Sequence, residues 1–395
     1  MTTRTQSSPP FRRVQVFFFT MFLPVGMINA YAGIWFADRG LSDFQIGLLG
    51  SVPTVLVLLT TLFVGRLADR ASDWRQVIVL GCVGAGVLPM ALFFTDGVWP
   101  ILIVWTALTV SQRLTIPVAD AAAIRMARRE GHDFGRVRAL ATAGYLLVVI
   151  GAGFALGDAG IALFLPLFVI FSLIRTGAAF GLPRMRGDVA ATPSQGFTAF
   201  PQMRQMWFVL PVLGWALIDA TNLILNSFQG LLWARQGIST QTIGLLITLG
   251  AAAEAVMFYL YWRLAPRFSA RALLIAAAGA AMIRWVGMAL EPGVPVLVAL
   301  QLLHAFTYAM GFLACTSFIA DHTAEENAAE AQSFLALLAM SASAVAILIF
   351  GALAGPFGAG AYLFSVVVAA LGGLAVFVAR PPSPPVSRQK DHSAT

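Results

Sequence analysis

The sequence predicts an all-α membrane protein, twelve transmembrane helices arranged as two six-helix bundles. Three observations carry this. Hydrophobic residues fill 59% of the 395 positions and charged residues 11%, with a mean hydropathy of +0.82, whereas a soluble domain carries roughly 25% charge. Apolar runs of about 20 residues, enough to cross a bilayer, occur twelve times. A phrase of the first half also returns 197 positions later: Leu41, Ser42, Ile46, Gly47, Leu48 and Leu49 reappear as Ile238, Ser239, Ile243, Gly244, Leu245 and Leu246, and Arg70 and Ser72 fall on Arg267 and Ser269. A duplicated apolar chain is the pattern of a solute carrier, in which two bundles move about a site near mid-membrane.

The spans follow in order. The first half supplies runs at 14–37, 44–66, 75–95, 98–124, 136–157 and 159–182; the second supplies 205–234, 240–264, 270–290, 294–320, 329–355 and 359–379. The organisation is therefore an N-terminal tail (1–13), a six-helix bundle (14–182), a polar linker (183–204) with Arg184, Arg186, Asp188, Pro193 and Gly196, a second bundle (205–379) and a Pro-rich tail (380–395). The apolar run after the polar first 13 residues is too long for the core of a cleavable signal and reads as the first span.

Arginine placement sets the expected topology. With both termini inside, twenty Arg and Lys residues lie on the cytoplasmic side and only Arg39 and Arg235 outside; the remaining three, Arg113, Arg175 and Arg284, fall within spans. The net charge of +7 is thus a topology signal, and no basic face with interleaved aromatics points to nucleic acid. The loop from His322 to Glu330 is the acidic exception. Twenty-four arginines to one lysine, with many alanines, fit a GC-rich bacterial genome and hence the plasma membrane. Cys82 and Cys315 both lie in spans, so no disulfide framework is implied. His132, His322 and His392 are scattered, with no metal-ligand spacing. No loop is large enough for a catalytic domain, and no nucleophile constellation is visible, so an enzyme is not expected.

After the second span comes Gly65-Arg66-Leu67-Ala68-Asp69-Arg70. This resembles the Gly-x-x-x-Asp-Arg signature of the major facilitator superfamily, which implies close helix approach at Gly65 and cytoplasmic gate contacts from Asp69 and Arg70. The second copy keeps Arg267 and Arg271 but has Pro266 in place of the acid.

Charge inside a span is costly and is generally retained for function. Glu254 lies about ten residues from the cytoplasmic end of the eighth span and Arg284 about fourteen from that of the ninth. His304 lies about ten from the outer end of the tenth. At 1.5 Å per residue all three are near mid-depth, and an imidazole among them is able to exchange protons near neutral pH.

The settings Ala253-Glu254-Ala255, Ile283-Arg284-Trp285 and Leu303-His304-Ala305, with Asp120-Ala121, Gly135-Arg136-Val137-Arg138 and Gly144-Tyr145, are similar to the phenylpropionate permease branch, related to lactose permease and nucleoside proton symporters. The resemblance covers nearly the whole chain. It implies that Asp120, Arg138 and Arg284 bind substrate with Tyr145 stacked on it, and that Glu254, Arg284 and His304 couple it to a proton; Asn222, a polar residue within the seventh span, is expected to join the substrate-binding set. Thr307 stands where lactose permease has a second acid, Gln301 replaces a lysine, and Tyr145 replaces a tryptophan. The loss of a carboxylate beside two retained arginines favours an anion, so the resemblance implies proton symport of an aromatic carboxylate such as 3-phenylpropionate. The alternatives are a sugar or nucleoside symporter, or a drug efflux antiporter. No cofactor is implied beyond the proton gradient. The expected partners are a small molecule, protons and the bilayer, and the expected state is a monomer.

Some residues keep two readings. Asp219 and Asn222 line the cavity, or Asp219 is a structural partner of Arg113. Arg138 serves substrate or topology; Glu254 and Arg284 form a coupling site or a structural ion pair. Arg175, about seven residues from the cytoplasmic end of the sixth span, is expected to snorkel.

Overall fold

The computed structural model describes residues 9–70, 73–185, 201–324, 327–380 and 382, and the side chains of 9, 62–70, 201, 202 and 329 are outside that description. Residues 1–8, most of the linker and nearly all of the C-terminal tail therefore lie outside the described residues.

Among the described residues the chain is helical and contains no strand. Its helices are α1 (Pro9–Met21), α2 (Leu23–Asp38), α3 (Asp43–Arg70), α4 (Trp74–Ala91), α5 (Val98–Glu130), α6 (Phe134–Ala159), α7 (Phe164–Phe180), α8 (Met206–Leu223), α9 (Leu225–Arg235), α10 (Thr240–Leu264), α11 (Ala270–Ala289), α12 (Val294–Leu302), α13 (Gly311–His322), α14 (Ala328–Phe357) and α15 (Tyr362–Val378). Among the described residues eleven stretches are long and apolar enough to span a membrane, and the last, Glu330–Val378, holds most of α14 and all of α15.

Three spans read as continuous from sequence are interrupted. The first breaks at Phe22, just before Pro24, which has no amide hydrogen to give. The seventh breaks between α8 and α9, where the Thr221 hydroxyl and the Asn222 amide both donate to the Ile218 carbonyl, at 2.6 and 3.2 Å, and compete with the helix's own ladder. The tenth passes through a π-helical turn, Ala305–Met310, between α12 and α13.

Contacts divide the chain into two compact units. One comprises Met1–Ser194, Ile224–Thr248 and Ile347–Gly358; the other comprises Gln195–Leu223, Leu249–Ala346 and Ala359–Thr395. In the first unit, α4 packs between α5 and α7, and α1 lies on α6. Phe11, Phe17 and Phe18 of α1 bury against Ile78 and Cys82 of α4, Ala122 of α5 and Val137 of α6.

The duplicated phrase has a structural meaning in that unit. Ser42 and Gln45 cap the start of α3 reciprocally, and Ser239 accepts from the Thr242 amide at the start of α10. The next residues then pack symmetrically. A Cβ added at Gly351 would lie 2.7 Å from the Asp43 carbonyl oxygen, and one at Gly153 would lie 2.8 Å from that of Thr240. Asp43 and Thr240 are 197 positions apart, so small residues allow the same backbone approach twice. Asp43 also forms a bidentate pair with Arg235 at 2.7 and 2.8 Å. At the opposite ends, Arg75 donates to the Phe180 carbonyl at 2.7 Å in the first unit. Arg271 donates to the Phe377 carbonyl in the second, with the two acceptors 197 positions apart and the two arginines 196.

In the second unit α15 packs on α8 and α11, and α11 also meets α13 and the π-helical turn. This brings α8, α11 and the tenth span together around one buried arginine.

Candidate functional site

That arginine is Arg284, which has no accessible surface. A guanidinium has five donors and no acceptor, and here it is met by neutral groups. Its Nη1 reaches His304 Nδ1 at 2.8 Å, Asn222 Oδ1 at 3.2 Å and Thr307 Oγ1 at 3.3 Å; Nη2 donates to Gln301 Oε1 at 3.2 Å. Asn222 is itself held by donating to the Thr307 carbonyl at 3.0 Å. The adjacent Trp285 donates to Thr221 at 3.0 Å and stacks on Tyr362 with an interplanar angle of 3°. Gly250, one turn before Glu254 on α10, allows the approach of the tenth span: a Cβ there would come within 2.9 Å of Gln301 Oε1.

Glu254 completes the cluster through His304, whose Nε2 lies 3.5 Å from Glu254 Oε2. Because Arg284 has only hydrogens to offer, His304 Nδ1 must present its lone pair, and the neutral imidazole carries its proton on Nε2, facing the acid. The order is Glu254, then His304, then Arg284. Glu254 and Arg284, read from the sequence as a coupling site or a structural ion pair, are linked through His304. Thr307 and Gln301 are neutral acceptors of the Arg284 guanidinium.

The first unit holds the other predicted residues. Arg138 of α6 reaches both oxygens of Asp120 on α5 at 3.3 and 3.4 Å, and its guanidinium carbon lies 5.3 Å from the centre of the Phe22 ring at the break between α1 and α2. Its side chain is half exposed. Tyr145 is two turns further along α6 and half-buried. Asp120, Arg138 and Tyr145 thus belong to one unit, and Asn222, Glu254, Arg284 and His304 to the other.

The remaining charges are placed as follows. The motif residues Gly65, Asp69 and Arg70 lie in the last turns of α3, where side chains are outside the described residues. Arg113 donates to Thr54 at 2.9 Å, and Asp219 leaves one buried oxygen unpartnered. Arg175 does not snorkel. It is 1% exposed, lines a narrow cleft with Met21, Gly81, Cys82, Gln112 and Thr115, and its Nε and Nη2 have no partner. Gly81 on α4 leaves room for Thr115 of α5, whose Oγ1 a Cβ there would strike, a close approach that hydropathy does not reveal.

A family model described as MFS_1 like family matches residues 11–365. The chain belongs to that family. It is a multi-pass membrane transporter of the major facilitator superfamily, with a small-molecule substrate, and is not an enzyme. Over 346 residues it is 27% identical to the probable 3-phenylpropionic acid transporter of Escherichia coli (strain K12), covering 84% of this chain and 88% of that one. It is also 25% identical to the maltose permease of Geobacillus stearothermophilus over 280 residues, 70% of each chain. Among solved structures, a mutant of the nucleoside transporter NupG superposes with a TM-score of 0.81 at 13% identity, over 93% of this chain and 98% of that one. A bacterial homologue of the human lysosomal transporter Spinster gives 0.76 at 16% identity, over 95% and 97%. These two likenesses concern the fold.

Proposed function

We propose that this MFS_1 like transporter carries an aromatic carboxylate such as 3-phenylpropionate together with a proton, by alternating access in the plasma membrane of a bacterium, with both termini cytoplasmic and the proton gradient as its energy source. The observation that carries the coupling half is the Glu254–His304–Arg284 chain. A proton landing on Glu254 removes the charge facing His304 and leaves the hydrogen bonds of Arg284 in place. A proton landing on His304 Nδ1 would instead break the 2.8 Å contact with Arg284 and set two cations together. Glu254 is therefore the carrier, His304 its neutral neighbour, and Arg284 the group that holds His304 in the donating tautomer.

The substrate half is supported by the 27% identical relative named for 3-phenylpropionic acid and by the arginines. Arg284 is enclosed and engaged, whereas Arg138 is half exposed and held by two long contacts to Asp120. Arg138 is the guanidinium that a carboxylate reaches, bidentately and with charge assistance, by displacing Asp120. A proton travelling with the anion makes the transported load neutral.

Labelled 3-phenylpropionate in proteoliposomes tests the reading. Accumulation above the external concentration when an inward proton gradient is imposed is the expected result. Accumulation of a disaccharide or nucleoside instead would replace the substrate, and proton-driven efflux would replace symport by antiport.

A further inference from the structure

The tenth span carries a row of three rings. In an unbroken α-helix, positions four and eight residues beyond His304 drift around the axis by about 40° and about 80°. The π-helical turn Ala305–Met310 offsets that drift. Tyr308 consequently lies parallel to the His304 ring at 5.8 Å and 11°, and Phe312 parallel to Tyr308 at 6.2 Å and 13°. π-Helical turns recur at functional sites because they re-aim side chains in this way. Trp215 supports Tyr308 from the side at 6.5 Å, its ring packed where Gly311 has no side chain.

The eighth span runs alongside. Glu254 stands opposite His304, and Phe258, one turn beyond Glu254 on α10, meets Phe312 edge-on at 6.4 Å. The acid therefore identifies what this face contacts. A partly exposed carboxylate near mid-membrane is not turned to acyl chains, so the face bearing Glu254 and His304 is wet, and the rings in register with them share it. Phe258 and Phe312 are 39% and 36% exposed, an open aromatic surface beside the proton-exchanging pair.

We infer that Phe258, Tyr308 and Phe312 form the ring-binding track of the substrate path, which takes a planar aromatic ring within reach of Glu254 and His304. This rests on the reading that the substrate is an aromatic acid, and it adds which residues recognise the ring. Flat rings gain offset-stacked and edge contacts that a puckered ring of the same size does not, so the track discriminates phenyl from cyclohexyl whatever head group the ligand carries.

The test is calorimetric binding to the full-length protein in nanodiscs, using two ligand pairs: 3-phenylpropionate with 3-cyclohexylpropionate, and the two corresponding alcohols. The phenyl compound should bind roughly three- to ten-fold tighter than its cyclohexyl partner. That ratio should fall to about one in Phe312→Leu and Phe258→Leu and survive in Tyr308→Phe, which keeps the ring. If the acids fail to bind while the alcohols show the ratio and its loss, the track stands and the carboxylate assignment falls. A wild-type ratio of one in both pairs, a ratio unmoved in folded Phe312→Leu and Phe258→Leu protein, or no binding of either phenyl compound would overturn the track.

Discussion

Arg284 donates to Nδ1 of His304 at 2.8 Å, and this contact determines which imidazole nitrogen faces Glu254. The same guanidinium reaches Gln301 on its other arm, a two-armed span that a point-charge ammonium does not reproduce. Arg284→Lys should lower the thermal stability of the purified protein by about 1.5–3 kcal/mol, the worth of one charged hydrogen bond. It should also weaken coupling, because His304 is freed to change tautomer. An unchanged unfolding temperature with full coupling would show that the fork is dispensable.

Arg175 should behave in the opposite way. An enclosed guanidinium with two unpartnered nitrogens is a burden on folding, and apolar groups of similar volume often match or improve on buried charge. Arg175→Met is expected to keep or raise the unfolding temperature, read by fluorescence-detected melting in detergent. A clear drop would mean that the guanidinium has an ordered partner, water or ion, in the cleft.

The pair Asp43–Arg235 should show coupling in a double-mutant cycle. Asp43 is 5% exposed and Arg235 44% on their side chains, so solvent screens the pair in part, and an interaction of about 1–3 kcal/mol is expected between Asp43→Asn and Arg235→Gln. Additive effects on stability would reduce the pair to a surface contact.

The paired glycine contacts predict an asymmetry. A Cβ at Gly244 would lie 2.6 Å from the Tyr31 hydroxyl and 2.7 Å from the Val149 carbonyl oxygen, both fixed by the 2.6 Å bond between them. At Gly47 the nearest atom is the Ile347 carbonyl oxygen at 3.2 Å. Gly244→Ala should therefore destabilise by about 1–3 kcal/mol and Gly47→Ala by less. Equal melting temperatures for the two variants would show that the backbone yields at both.

Much of this architecture is legible in the sequence. The twelve spans follow from hydropathy, and the repeated Ser-x-x-x-Ile-Gly-Leu-Leu phrase marks two helix starts and their glycine contacts. Glu254, Arg284 and His304 are brought together because charge within a span is rare enough to stand out. Their order is not legible, since it depends on Asn222, Thr307 and Gln301 taking the guanidinium from the acid, and neutral polar residues give no signal of which donor they serve. The breaks at Phe22 and beyond Asn222 have local signals, a proline two residues on and side chains that bond their own helix. The π-helical turn has none in hydropathy, because Ala305–Met310 is apolar in either geometry, and so the row formed by Tyr308, Phe312 and Phe258 is not legible in the sequence.

The central claim is that Glu254 carries the proton, and Glu254→Gln tests it most directly by comparing two transport modes in the same proteoliposomes. Gln keeps the size and a hydrogen-bonding oxygen for His304 but does not titrate. Counterflow exchange of labelled against unlabelled 3-phenylpropionate should remain near the wild-type rate, while accumulation driven by an imposed pH gradient should be lost. A Glu254→Gln protein that still concentrates the substrate against its gradient would contradict the account.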